Sequence, residues 1–154
     1  MHRRRVVVTG IGALTPIGNT KDAFWDGLVS GTSGAAPITY FDASKFKTQF
    51  ACEIKNFDAQ EHFDRKEARK MDRFTQYAMV ASDEAVHDAG LDLEKIDNAR
   101  VGVIWGSGIG GLETFQNEVL NFSDGDGTPR FNPFFIPKMI ADIAPGMISI
   151  KYGF

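Results

Sequence analysis

The sequence has 154 residues, of which 43% are hydrophobic and 24% charged, and a net charge of -3. This composition excludes a disordered or fibrous chain and leaves no bulk positive field for nucleic acid. No apolar run approaches the length that a membrane-spanning helix requires.

The opening, MHRRRVVVTG, sets basic residues before an apolar stretch, as a secretory leader does. That stretch is only Val6–Val8, and no cleavage-type site follows it. A cytoplasmic protein is expected, starting directly with a buried strand over Arg5–Thr9 that runs into the glycines at 10 and 12. A helix follows over NTKDAFWDGLVSG, with Asn19 as N-cap and Gly31 as C-terminal stop. TSGAAPITYFDASKF reads as loop. TQFACEIKNF alternates Phe50, Cys52 and Ile54 with polar neighbours, the pattern of a half-exposed strand. Cys52 is the single cysteine, which excludes an internal disulfide. It is expected to be a small buried hydrophobe. His2, His62 and His87 have no ligand-like spacing to it, so no metal site is expected, and His62 and His87 read as surface residues.

The clearest helical stretch runs from Asp64 to Gly90. Met71, Phe74, Ala78, Ala81, Ala85 and Ala89 recur along it at helical spacing, a face small enough for close approach by another element. ARVGVIWG is apolar on both sides and predicts a central strand of a parallel sheet. Helices are expected over IGGLETFQNEVLNF and PKMIADIAPGMISIKYG, with Pro145 kinking the second. Alternating strands and helices imply a layered α/β fold. The apolar ending ISIKYGF suggests the front piece of a longer protein, prone to aggregate alone.

Two stretches carry candidate chemistry. Gly106, Gly108 and Gly111 fit the G-x-G-x-x-G spacing of a dinucleotide loop between a strand and a helix. However, Asp124 and Asp126, about 20 residues on, fall in a loop rather than at a strand end. The glycines also fit two other readings: a tight strand-to-helix turn, or clearance for a long ligand touched by Ile109. The second stretch is RKEARKMDR, residues 65–73. Lys66, Arg69, Lys70 and Arg73 fall on one helical face, started by an Asp64–Glu67 capping box. Cations in a first turn oppose the helix dipole by about 0.3–1 kcal/mol each. Their clustering on an acidic chain points to an acidic partner, against the alternative of a solvated face.

RRVVVTGIGALTPIGNT, FDASKFKTQFACEIKNFD, RKEARKMDRF, GSGIGG and NPFFIPKMI, in this order across the chain, resemble the β-ketoacyl-[acyl-carrier-protein] synthases II, the elongating condensing enzymes of type II fatty acid synthesis. The likeness departs at Pro145 and in the loop Asp124–Thr128. It implies a thiolase-like αβαβα fold, of which this chain is the incomplete amino-terminal part, and normally a homodimer. The reaction it implies is decarboxylative condensation with malonyl-carrier protein. That chemistry needs a thiolate nucleophile, an oxyanion hole, two histidines and a lysine, and no cofactor. The resemblance places all of these catalytic residues beyond Phe154, so the fragment alone is expected to be inactive. It assigns Lys66, Arg69, Lys70 and Arg130 to docking the acidic carrier protein, and Ile109 and Phe135 to the pocket for the fatty acyl chain. It puts Phe134 and Phe135 at the dimer interface. Without the resemblance, plain core packing explains the two phenylalanines equally well. A dinucleotide-binding oxidoreductase domain and a non-catalytic carrier-protein-binding subunit remain the competing readings.

Overall fold

A computed structural model describes residues 4–154; His2 lies outside them. The chain divides into two compact units. One comprises the residues up to Phe57 together with Ala81–Leu91, the other Asp58–Val80 together with Asp92–Phe154. No helix among the described residues is long and apolar enough to cross a membrane.

In the first unit, helix α1 spans Lys21–Val29. Its N-cap is Thr20, whose hydroxyl accepts from the Ala23 amide. Asn19, the expected cap, instead donates to the Lys55 carbonyl at 2.8 Å. Gly31, at φ 69°, ends the helix as predicted. Strands β1 (Ala36–Pro37) and β2 (Phe50–Ala51) pair antiparallel, Ala36 opposite Ala51. The longer strand expected here does not form, and its faces are inverted. Glu53 turns inward to accept from the Thr39 amide at 3.0 Å and from the Thr39 hydroxyl at 2.7 Å. Side chains alternate along an extended chain, so Phe50 and Cys52 point outward, and Cys52 is exposed rather than buried.

The expected strand over Arg5–Thr9 carries no ladder, and Val6 and Val8 are 91% and 81% exposed. A strand exists only through its pairing partners, and β-branched composition does not supply them. The chain just after it, residues 10–13, is held by the far end of helix α3, Arg73–Asp88. A Cβ on Gly12 would lie 1.8 Å from the Ala81 carbonyl oxygen, and one on Gly10 would lie 2.2 Å from that of Ala85. The small alanine face therefore meets bare backbone. Two carboxylates one helical turn apart complete the attachment. Glu84 accepts from the Ala13 and Lys21 amides, both at 2.8 Å. Asp88 accepts from the Ile11 amide at 2.9 Å and pairs with the Lys21 ammonium. That ammonium, and next the Ile11 amide, hold the Asp88 carboxyl below the ordinary carboxylate range, while Asp88 raises Lys21.

The long helix expected from Asp64 to Gly90 is two helices: α2, Arg65–Lys70, in the second unit, and α3, of which the part up to Val80 belongs to that unit. Asp64 caps α2 through the Lys66 and Glu67 amides, as its position predicts. The chain then turns extended at Met71, which enters a core with Phe63, Ala78, Met79, Ala144 and Ile148. Two rows of apolar residues cannot both face that core from one straight helix, and the break lets them. The predicted central strand at 101–106 is likewise unpaired, with Ile104 98% exposed. Helix α4 spans Leu112–Ser123, α5 Phe135–Met139 and α6 Ile143–Tyr152. Pro145 does not kink α6. It is the third residue of that helix, where an amide has no helical partner to lose. The interruption falls instead at Ile140–Asp142.

Gly12→Ala is expected to cost about 2 kcal/mol of stability by forced overpacking. Gly146→Ala, in α6 with open space around its Cβ position, should gain about 0.5–1 kcal/mol. Urea titration of both variants checks the pair. Because the Asp88 value is lowered on folding, its stabilisation is complete above the ordinary carboxylate value of about 4 and disappears as pH falls through its own lower value. Lys21 works in the opposite sense: its contribution is complete below the ordinary lysine value and disappears as pH rises through its raised one. Asp88→Asn should therefore flatten the acid limb of the stability–pH curve, measured by urea midpoints down to about pH 2.

Candidate functional site

Helix α2 presents Lys66, Arg69 and Lys70 to solvent, and among the described residues none of the three forms an ion pair. Its shortness changes the electrostatics predicted from the sequence. Arg69 and Lys70 lie in the last turn, where cations favour the helix dipole, so the expected penalty does not arise there. Arg73 opens the next helix and is not part of the α2 row. Arg130 lies in the exposed loop after α4, 3.4 Å from Asp126. The backbone and side-chain hydrogen bonds of Thr128 hold the Asp126 carboxyl below the ordinary range. So exposed an ion pair is screened by water and holds Arg130 only weakly.

The glycine turn leads into α4. The Ser107 hydroxyl accepts from the Gly110 amide at 3.1 Å, Gly110 adopts φ 87°, and the Gly111 amide donates to the Met139 carbonyl at 2.9 Å. A Cβ on Gly110 would lie 2.4 Å from the Met139 oxygen, and one on Gly111 would lie 2.2 Å from the Lys138 oxygen. These two glycines admit the end of α5 against the start of α4. The Asp72 carboxylate also reaches this helix start: it accepts from the Thr114 hydroxyl and lies 3.0 Å from the Gly111 Cβ position. A pyrophosphate needs the amides and the positive end of this helix; the Met139 carbonyl already takes the Gly111 amide, and the Asp72 carboxylate, bonded to the Thr114 hydroxyl, already places a negative charge there. Gly106 and Gly108 differ, with open space at their Cβ positions; between them and Gly110, Ile109 is 69% exposed.

Phe135 stacks between Phe115, at 6.2 Å, and Phe131, at 5.8 Å; Phe131 in turn meets Phe122 at 5.5 Å. Phe134 is exposed beside this stack and Phe135 is half-buried within it. Sequence reasoning singled out Phe134 and Phe135 but not Phe122 and Phe131. The signal was the seven-residue step from Phe115 to Phe122, two turns along one helix face.

A sequence profile described as the beta-ketoacyl synthase N-terminal domain matches residues 3–154. The chain belongs to the β-ketoacyl synthase family. A 3-oxoacyl-[acyl-carrier-protein] synthase 2 from Synechocystis sp. is 46% identical over 153 residues, which cover 99% of this chain and 36% of the relative. The chain thus spans about a third of the length of that curated relative. Among solved structures, the ishigamide ketosynthase/chain length factor matches 98% of the chain with a TM-score of 0.86 and 30% identity, over 38% of its own length. A ketosynthase bound to a hexaketide and in complex with its type II PKS acyl-carrier protein matches 99% with a TM-score of 0.80 and 28% identity, over 41% of its length.

The fold class is therefore the thiolase-like α/β architecture of the ketosynthases, of which this β-ketoacyl synthase chain holds an amino-terminal portion. The glycine turn of such a chain is therefore expected to hold no dinucleotide. Titration with NADPH should give no saturable change in nicotinamide fluorescence, and saturation would restore the oxidoreductase reading.

Proposed function

We propose that this chain is the amino-terminal part of a 3-oxoacyl-[acyl-carrier-protein] synthase that elongates fatty acyl chains by decarboxylative Claisen condensation. The carrying observation is the 46% identity to a synthase of that name along nearly the whole chain. In this reaction malonyl-carrier protein loses carbon dioxide, and the resulting carbanion attacks an acyl thioester, forming the carbon–carbon bond and releasing the thiolate. The nucleophile and its histidine and lysine partners belong to polypeptide outside these residues. The setting we propose is cytoplasmic, with a homodimer as the working unit.

These residues contribute binding. Lys66, Arg69 and Lys70 form the docking site for the acidic carrier protein, with Arg130 as an outlying cation. Their exposure and lack of ion-pair partners support this, as does the carrier-protein complex of a 28% identical ketosynthase. Ile109 lines the acyl pocket, a role favoured by its exposure between glycines and by the open space at Gly106 and Gly108. Phe134 and Phe135 lie at the dimer interface, Phe135 closing the partner's acyl pocket. The aromatic stack beneath Phe135 would hold its ring in one orientation.

Combining Lys66→Glu with Arg69→Glu in the intact protein should raise the Kd for acyl-carrier protein at least about tenfold at low salt. The difference should shrink at high ionic strength, where exposed charges are screened. Surface plasmon resonance at two salt concentrations reads both; unchanged affinity at low salt would remove the docking assignment.

A further inference from the structure

Helices α2 and α6 border a cavity of about 330 Å³ that none of the residues discussed above as acyl-pocket or interface residues lines. Its floor is apolar: Phe63, Met71 and Met79 are buried, and Met147 is half-buried. Its rim is charged. Lys70 stands on the α2 side and Lys151 on the α6 side, both exposed, with Glu67 the one carboxylate among the lining residues. Two ammonium groups and one carboxylate stand at the mouth over an apolar base, the Lys151 ammonium also lying 5.6 Å from the Tyr152 ring centroid. A volume near the lower end of ligand pockets, about 300–1,000 Å³, suits a small molecule rather than a dinucleotide. Methionine side chains are unbranched and polarizable, so three of them adapt to a flexible alkyl body more readily than branched residues do.

We infer that this cavity binds a small amphipathic anion, an alkyl chain seated on Met71, Met79 and Met147 with a carboxylate between Lys70 and Lys151. The apolar floor accounts for the chain and the two lysines account for the head group. Lysine stems also cover apolar surface while keeping their heads in water, so both cations reach an anion at the mouth without being desolvated first.

The test uses octanoate as probe and the intact protein carrying ¹³C-methyl methionine. Octanoate should shift the Met71, Met79 and Met147 methyl resonances saturably. Octanamide, the neutral isostere, should bind about tenfold more weakly, and Lys151→Gln should weaken octanoate by a similar factor while Lys151→Arg restores it. Absence of saturable shifts at these three methyls, or a shift of Met139 alone, overturns the proposal. Equal affinity for octanoate and octanamide overturns it too, and that comparison stands even if Lys151→Gln disturbs the fold.

Discussion

The Asp72 carboxylate ties together two helix starts that are about forty residues apart in sequence. Its Oδ1 accepts from the Phe74 amide at the beginning of α3, and its Oδ2 accepts from the Thr114 hydroxyl in the first turn of α4. Each helix carries partial positive charge at its N-terminus, and one anion meets both, through an amide at α3 and through a hydroxyl at α4. The glycine turn depends on this arrangement. With Asp72 and the Met139 carbonyl at the head of α4, Gly110 and Gly111 must stay bare, because any side chain there would strike the end of α5. The turn that looks from its spacing like a phosphate cradle is a packing device at its second half and open only at Gly106 and Gly108.

The same constraint, backbone meeting backbone, recurs in the other unit. Gly10 and Gly12 lie against the alanine face of α3, and Glu84 and Asp88 hold that contact by accepting amides from Ile11, Ala13 and Lys21. Close approach thus explains Gly10 and Gly12 in this unit and Gly110 and Gly111 in the other, but not Gly106 and Gly108. Strong apolar exposure sits beside these well-held contacts: Val6 and Ile104 are almost wholly in water. A parallel sheet buries such residues only when strands pair at their edges and helices or a second layer cover its faces, and the chain spans about a third of its curated relative.

The basic surface is made by a helix boundary. Ending α2 at Lys70 places Arg69 and Lys70 where the dipole favours them, and it turns Met71 into the core. The cations are then held outward by the burial of their neighbour rather than by partners of their own. Among the described residues no internal ion pair has to break before these cations can meet an anion.

Much was legible in local sequence. Asp64 as a cap, Gly31 as a stop, the α4 helix, the loop after it and the small face of α3 all depend on neighbours within a few residues, and so they could be read from spacing. The ordered set of motifs also carried the family. The strands at 5–9 and 101–106 were misread because a strand is made by distant partners, which a run of valines does not reveal. The break at Met71, the harmless position of Pro145, the outward turn of Cys52 and the Phe122–Phe131–Phe135 stack followed the same rule. The residues themselves determined the local elements, the charge on α2 and the family resemblance. The tertiary structure alone decided which glycines face backbone and which face open space, because that depends on what the rest of the chain brings to each one.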